Sequence, residues 1–186
     1  MGQPTNNVSS MSQYQIGKRS TPMSFDIGNK GERIVADYFT NIGYEVTPAP
    51  DRKFYDYDLE CNHFEHSFTI EIKTDVSAFD YAKRRGEADN PRLFIEYYND
   101  TNNEPSGIAA SCATYYFYML VTPSNDVECN VFDRQELHHY LLHDEDVYTH
   151  TLVPRFGDHQ TTGWLPYRSD LERNGVLKRR FLIGKW

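Results

Sequence analysis

Hydrophobic and polar positions repeat with a period that changes along the chain. In GNKGERIVADYFTNIG, residues 28–43, the side chains Ile34, Val35, Tyr38, Phe39 and Ile42 recur at helical spacing, which predicts an amphipathic helix. Ser24 and Asp26 are candidate caps before it, and Gly43 is a natural stop past its end. Tyr44 to Thr47 predicts a first strand, ended by Pro48 and Pro50. Period two then takes over. Asp58 to Asn62 and Phe68 to Thr74 predict an antiparallel pair joined by the polar turn Phe64-Glu65-His66-Ser67. Residues 76–91 are polar and predict a loop or short helix. Arg92 to Tyr98 (RLFIEYY) predicts a further strand, and Ser106 to Cys112 a short helix. Thr114 to Val121 (TYYFYMLV) is a mostly apolar strand suited to the centre of a sheet. Val131-Phe132 is a short extended piece, and Arg134 to His143 a helix turning Leu137, Tyr140 and Leu141 inward. Gly163 to Tyr167 predicts a short strand entering a turn, and Ser169 to Leu171 the start of another helix.

A chain of 186 residues fits one domain. Residues 1–22 are rich in Ser, Gln, Asn and Thr, which predicts a flexible polar tail ahead of a single domain over 23–186. The hydrophobic share is only 39%, but 11 Phe and 14 Tyr raise the apolar area that each buried residue supplies. A net charge of −8 argues against broad, nonspecific coating of nucleic acid. It leaves room for a DNA enzyme, because carboxylates at a metal site lower the total while basic residues gather on one face. Cys61, Cys112 and Cys129 are widely spaced and form no CxxC, which supports neither a zinc ribbon nor a disulfide framework and fits a reducing setting. No secretory segment follows the start, and the longest apolar run, Tyr115 to Val121, is far too short to span a bilayer. A soluble cytoplasmic protein with no membrane partner is expected.

The chemistry gathers in FYDYDLECNHFEHSFTIEIKTD, residues 54–75. Alternate residues of a strand share a face, so Glu71 and Lys73 project together while Phe68, Ile70 and Ile72 point the other way. Charges on such a strand are costly unless paired or bound to metal. Asp58 and Glu71 are hard oxygen ligands suited to Mg²⁺ or Mn²⁺. Asp56 and Asp75 are alternative carboxylates nearby. Glu32, on the first helix, fits equally a site role or a surface position favoured by the helix N-terminus. Lys83, Arg84, Arg85 and, later, Lys178, Arg179, Arg180 form two basic clusters, either solvated or set to contact phosphates. Tyr97, Tyr98, Tyr115, Tyr116 and Tyr118 could stack on unpaired bases, though strand alternation sends about half of them to the core.

The order of these elements resembles the PD-(D/E)xK nuclease superfamily over about residues 28–121. The matching residues are Asp58 in YDYDLE and Glu71-Ile72-Lys73 in TIEIKTD, with Glu32 in GERIVADYF where many members carry a carboxylate on the first helix. Tyr57 stands where the motif has its proline. LFIEYY, SGIAASCATYYFY and GWLPYRSDLE look like small phage-type members, including Holliday junction resolvase-like ones. The resemblance implies an α/β, restriction-endonuclease-like αβββαβ core with a mixed central sheet flanked by helices. It implies a Mg²⁺-dependent nuclease hydrolysing DNA phosphodiester bonds, with Asp58, Glu71 and the Ile72 carbonyl as metal ligands. Lys73 would orient the attacking water or stabilise the transition state. Glu32 would serve a second metal or hold Lys73, and Glu96 would be an accessory. Branched DNA as substrate follows from the same resemblance and would call for a homodimer, for which no sequence feature speaks.

Two other classes stay open. One is a catalytically inactive nuclease-fold module binding nucleic acid or protein, in line with the acidic net charge. The other is a histidine-metal hydrolase centred on residues 138–143 of the helix expected over 134–143, where His139 and His143 stand at i, i+4 without a visible third ligand.

Overall fold

Where each strand buries its two faces decides how the elements are layered. The computed structural model describes residues 21–49, 57–87, 90–143 and 161–186. In chain order these hold α1 (Thr21–Asn41), β1 (Glu45–Pro48), β2 (Leu59–His63), β3 (His66–Asp75) and α2 (Ala78–Arg84). Next come β4 (Ile95–Asn99), β5 (Glu104–Pro105), a 3₁₀ turn (Gly107–Ala109), β6 (Tyr115–Val121) and β7 (Asp126–Asp133). The chain ends with α3 (Arg134–His143), β8 (Thr161–Trp164), α4 (Arg168–Arg173) and β9 (Leu177–Lys185).

Six strands make the main sheet in the order β1-β2-β3-β6-β7-β9, and β5-β4-β8 make a smaller second sheet. The β3–β6 pair is parallel and the other pairs of the main sheet are antiparallel. Helix, three strands, helix and a parallel fourth strand is the expected αβββαβ order, a mixed sheet flanked by helices.

Strand β6 is buried on both faces, which is why its sequence is a continuous apolar run rather than an alternation. Phe117 and Met119 pack with Ile70, Cys61, Cys129 and the α1 residues Val35 and Phe39. Tyr116, Tyr118 and Leu120 pack the other way, with Leu93, Ile95 and Ile108, Leu137 and Leu141 of α3, and Leu171 of α4. Each large apolar side chain so buried stabilises the fold by about 1.5–3 kcal/mol before chain entropy is charged against it. Among the described residues no helix is long and apolar enough to cross a membrane.

Several elements differ from expectation. Among the described residues α1 already runs from Thr21, so Ser24 and Asp26 lie within it rather than ahead of it. The expected tail over 1–22 otherwise lies outside the described residues. Ile42 falls just beyond the helix and is 51% exposed, while Gly43 turns the chain with φ +96°. The β2–β3 turn is tighter than expected, with Phe64 at φ +51° and almost fully exposed. Only a 3₁₀ turn over Gly107–Ala109 forms where a helix over 106–112 was expected, with Gly107 at φ +50° opening it. Strand β7 spans 126–133 rather than Val131-Phe132 alone, with Glu128 bonded to the distant Arg168 and the Asn130 amide donating across to the Tyr118 carbonyl of β6. Strand β9 was not expected at all. It buries Phe181 and Ile183 against the α1 side while its charged residues face outward.

Candidate active site

The β2–β3 hairpin carries the motif. Its register sets Leu59 opposite Ile70, so the next residues outward, Asp58 and Glu71, lie side by side where β2 begins. The Asp58 amide donates to the Ile70 carbonyl at 2.9 Å. Asp58 Oδ2 accepts the Ile72 N–H at 2.7 Å, a charge-assisted bond that holds the carboxylate against β3. An extended residue sends its N–H and C=O to the same edge of the strand, so the Ile72 carbonyl also points toward Asp58.

Glu71 is held well above the ordinary carboxylate range, first by burial and then by the neighbouring charge of Asp58. A hydrogen bond from Ser111 and the charge of Lys73 pull the other way, and Glu32 adds the smallest push upward. Tyr116 lies directly across the parallel pair from Glu71 and is fully buried. Its hydroxyl is pushed far up by burial and then by Glu71, Glu96 and Asp58, so three carboxylates bear on one ring.

Lys73 Nζ stands 3.7 Å from Glu96 Oε2, both side chains being largely shielded from solvent. Glu96 comes from β4 in the second sheet. Two glycines let the backbone close over that position. A Cβ on Gly107 would meet the Glu96 carbonyl oxygen at 2.5 Å, and one on Gly163 would meet that of Ile95 at 2.6 Å. The stretches LFIEYY, SGIAAS and GW thus converge on Glu96.

Helix α1 packs on the face of β3 opposite Glu71, with Gly31 close against Thr74. Glu32 bears on Glu71 as a like charge. Among the described residues no three His, Cys, Asp or Glu side chains gather into a metal-ligand group. The donor set on offer is Asp58, Glu71 and the Ile72 carbonyl, two mutually repelling carboxylates whose charge a hard divalent cation would offset.

The chain matches no family model and no curated protein. Among solved structures it is similar to the bacterial homing endonuclease I-Ssp6803I, at 13% identity over 62% of this chain and 70% of that one, with a TM-score of 0.44.

Of the alternative carboxylates, Asp56 lies outside the described residues. Asp75 is committed elsewhere: Oδ1 accepts the Ser77 N–H at 2.7 Å in a turn leading into α2, and Oδ2 accepts the Tyr118 hydroxyl at 3.2 Å. Lys83, Arg84 and Arg85 are exposed at the end of α2, which follows β3 directly, with Arg84 over the Tyr81 ring at 4.5 Å. The other basic cluster lies on β9, three strands from β3, and is not brought to the carboxylates. Lys178 pairs there with Glu136 at 2.7 Å and Arg180 with Glu172 at 3.5 Å, while Arg179 is exposed.

Tyr116 and Tyr118 are sealed in the core and cannot stack on bases. Tyr97 lies on Trp164 at 4.1 Å, and Tyr115 packs on Phe68. His139 and His143 are an exposed stacked pair 4.2 Å apart. None of the three cysteines is in a disulfide; Cys61 and Cys129 are buried, and burial pushes the Cys61 thiol up to about 11.

Ser111 escaped the sequence reading. It is 4% exposed and hydrogen-bonds Glu71. Its only signal in the sequence is one hydroxyl in an alanine-rich stretch ahead of an apolar strand.

Proposed function

We propose that the chain is a Mg²⁺- or Mn²⁺-dependent deoxyribonuclease of the PD-(D/E)xK type. The observation that carries this is the meeting of Asp58, Glu71 and Lys73 at one end of the β2–β3 hairpin, inside an αβββαβ core. Asp58, Glu71 and the Ile72 carbonyl would hold the cation, which acidifies a bound water and neutralises charge growing on the scissile phosphate. The Ile72 N–H fixes the orientation of the Asp58 carboxylate. Lys73 presents its ammonium on the same face as Glu71 and orients the water or stabilises the phosphate charge, while Glu96 limits where that ammonium can go. The aromatic floor at Tyr116 keeps water out from below. Glu32 acts at longer range, as a charge near the carboxylates. Lys83, Arg84 and Arg85, exposed on the helix that follows β3, would contact a phosphate backbone. Branched DNA is the proposed substrate form.

The test is cleavage by purified protein of linear duplex, single strand, four-way junction and flap, with Mg²⁺ or Mn²⁺ and with EDTA. Metal-dependent cutting that disappears in Asp58→Ala and Lys73→Ala is the expected result, with the junction cut fastest. Full activity in both variants would sink the assignment. No cutting of any form, together with binding whose salt dependence weakens when Lys83, Arg84 and Arg85 are replaced, would instead mark an inactive binding module.

A further inference from the structure

We infer that Ser111 is a positioning residue for Glu71, holding its carboxylate in the orientation that receives the metal; this rests on the nuclease reading. Three bonds fix the serine. Its amide donates to the Gly107 carbonyl at 3.0 Å, tying it to the turn that lies against Glu96. Its Oγ accepts the Ala113 N–H at 3.2 Å, which sets the side-chain rotamer. A hydroxyl has a single proton to give, and here it goes to the Glu71 carboxylate.

Packing does not ask for a hydroxyl at this position. A buried hydroxyl costs free energy unless bonded, and alanine would fill most of the same space. Glu71 is flanked by a like charge at Asp58, and Lys73 is drawn toward Glu96 at 3.7 Å. Ser111 therefore supplies a donor held in place by both neighbouring backbone segments. Partners of this kind orient carboxylates that bind metal, and their loss typically weakens metal affinity about 10–100-fold.

The experiment is calorimetric titration of Mn²⁺ into the purified full chain, without DNA, for wild type, Ser111→Ala, Ser111→Gly, Ser111→Thr and Asp58→Ala. Thermal unfolding of each metal-free protein is measured alongside. The expected result is Mn²⁺ affinity lowered about 10–100-fold in Ser111→Ala and Ser111→Gly. Ser111→Thr, which keeps the donor, should bind close to wild type, and Asp58→Ala should lose binding. Wild-type affinity in the folded Ala or Gly variant, with Asp58→Ala impaired, would overturn the role of Ser111 and leave the nuclease reading standing. Mn²⁺ binding absent from wild type, or unchanged in Asp58→Ala, would overturn the metal site itself and the inference with it.

Discussion

The two faces of the main sheet are built from the same strands and have opposite character. Against α1 the contacts are mainly apolar: Ile70, Phe117, Met119 and Cys129 meet Val35 and Phe39. On the other face the same strands carry Glu71, Lys73, Tyr116, Tyr118, Glu128 and Asn130, with charges and hydroxyls set among Leu93, Ile95 and Ile108. Several of these polar groups are bonded to one another or across the fold. Arg168 Nη1 reaches Glu128 at 2.7 Å, Asn130 donates to the Tyr118 carbonyl at 3.2 Å, and the Tyr118 hydroxyl bonds Asp75. The contrast separates two jobs. The α1 face holds the sheet together, and the opposite face uses that rigidity to keep costly groups in fixed positions.

The sharpest way to break this contrast is to exchange what each face supplies. Glu71→Gln should cut metal-dependent cleavage by roughly 100-fold or more while leaving the metal-free protein at neutral pH more stable than wild type. The sign follows from burial: the fold disfavours ionised Glu71, so wild-type stability falls as pH rises through its raised folded value, and glutamine lacks that loss. Phe117→Ala should do the reverse. It should cost about 3–5 kcal/mol in urea unfolding and leave cleavage by the folded fraction intact. Equal losses of stability in the two variants would erase the distinction.

A second test asks whether charges on the polar face, away from the site, serve structure. Arg168→Ala strands Glu128 and should cost about 3–5 kcal/mol, most of it recovered by Arg168→Met combined with Glu128→Leu. Urea unfolding of the single and double variants checks this. The smallest effect concerns Glu87, which lies outside both faces. The Tyr167 hydroxyl at 2.7 Å and then Arg92 hold its carboxyl below the usual 4.5. It contributes stability above that pH and loses it as pH falls through the lowered folded value. The stability gap between wild type and Glu87→Gln should therefore narrow below about pH 4.5 in acid unfolding curves.

Much of this arrangement was legible in the sequence because it is local. The helical spacing of Val35 and Phe39, and the alternation that splits Glu71 and Lys73 from Ile70 and Ile72, need no distant partner. Neither does the unbroken apolar run of β6. The parts that were not legible depend on partners far along the chain. Glu128 and Asn130 interrupt an otherwise apolar β7 and look like loop residues until Arg168 and Tyr118 meet them. Lys178 to Arg180 conceal a strand because their charged ends lie outside while Phe181 and Ile183 turn in. Glu96 was singled out, but its approach from a second sheet depends on pairing with Gly163. Ser111 carries no local pattern at all, since only its contact with Glu71 distinguishes it from the alanines beside it.

The pairing of β4 with β8 has a consequence for how the protein is made. Asp58, Glu71, Lys73 and their supporting strand β6 all leave the ribosome well before Thr161–Trp164. Until that segment emerges, β4 lacks its longer neighbour, and Gly163 is missing from beside Glu96. Contacts between residues so distant in sequence form late and slowly. A chain synthesised only through β6 therefore carries Asp58, Glu71 and Lys73 without the β4–β8 pairing that completes their surroundings.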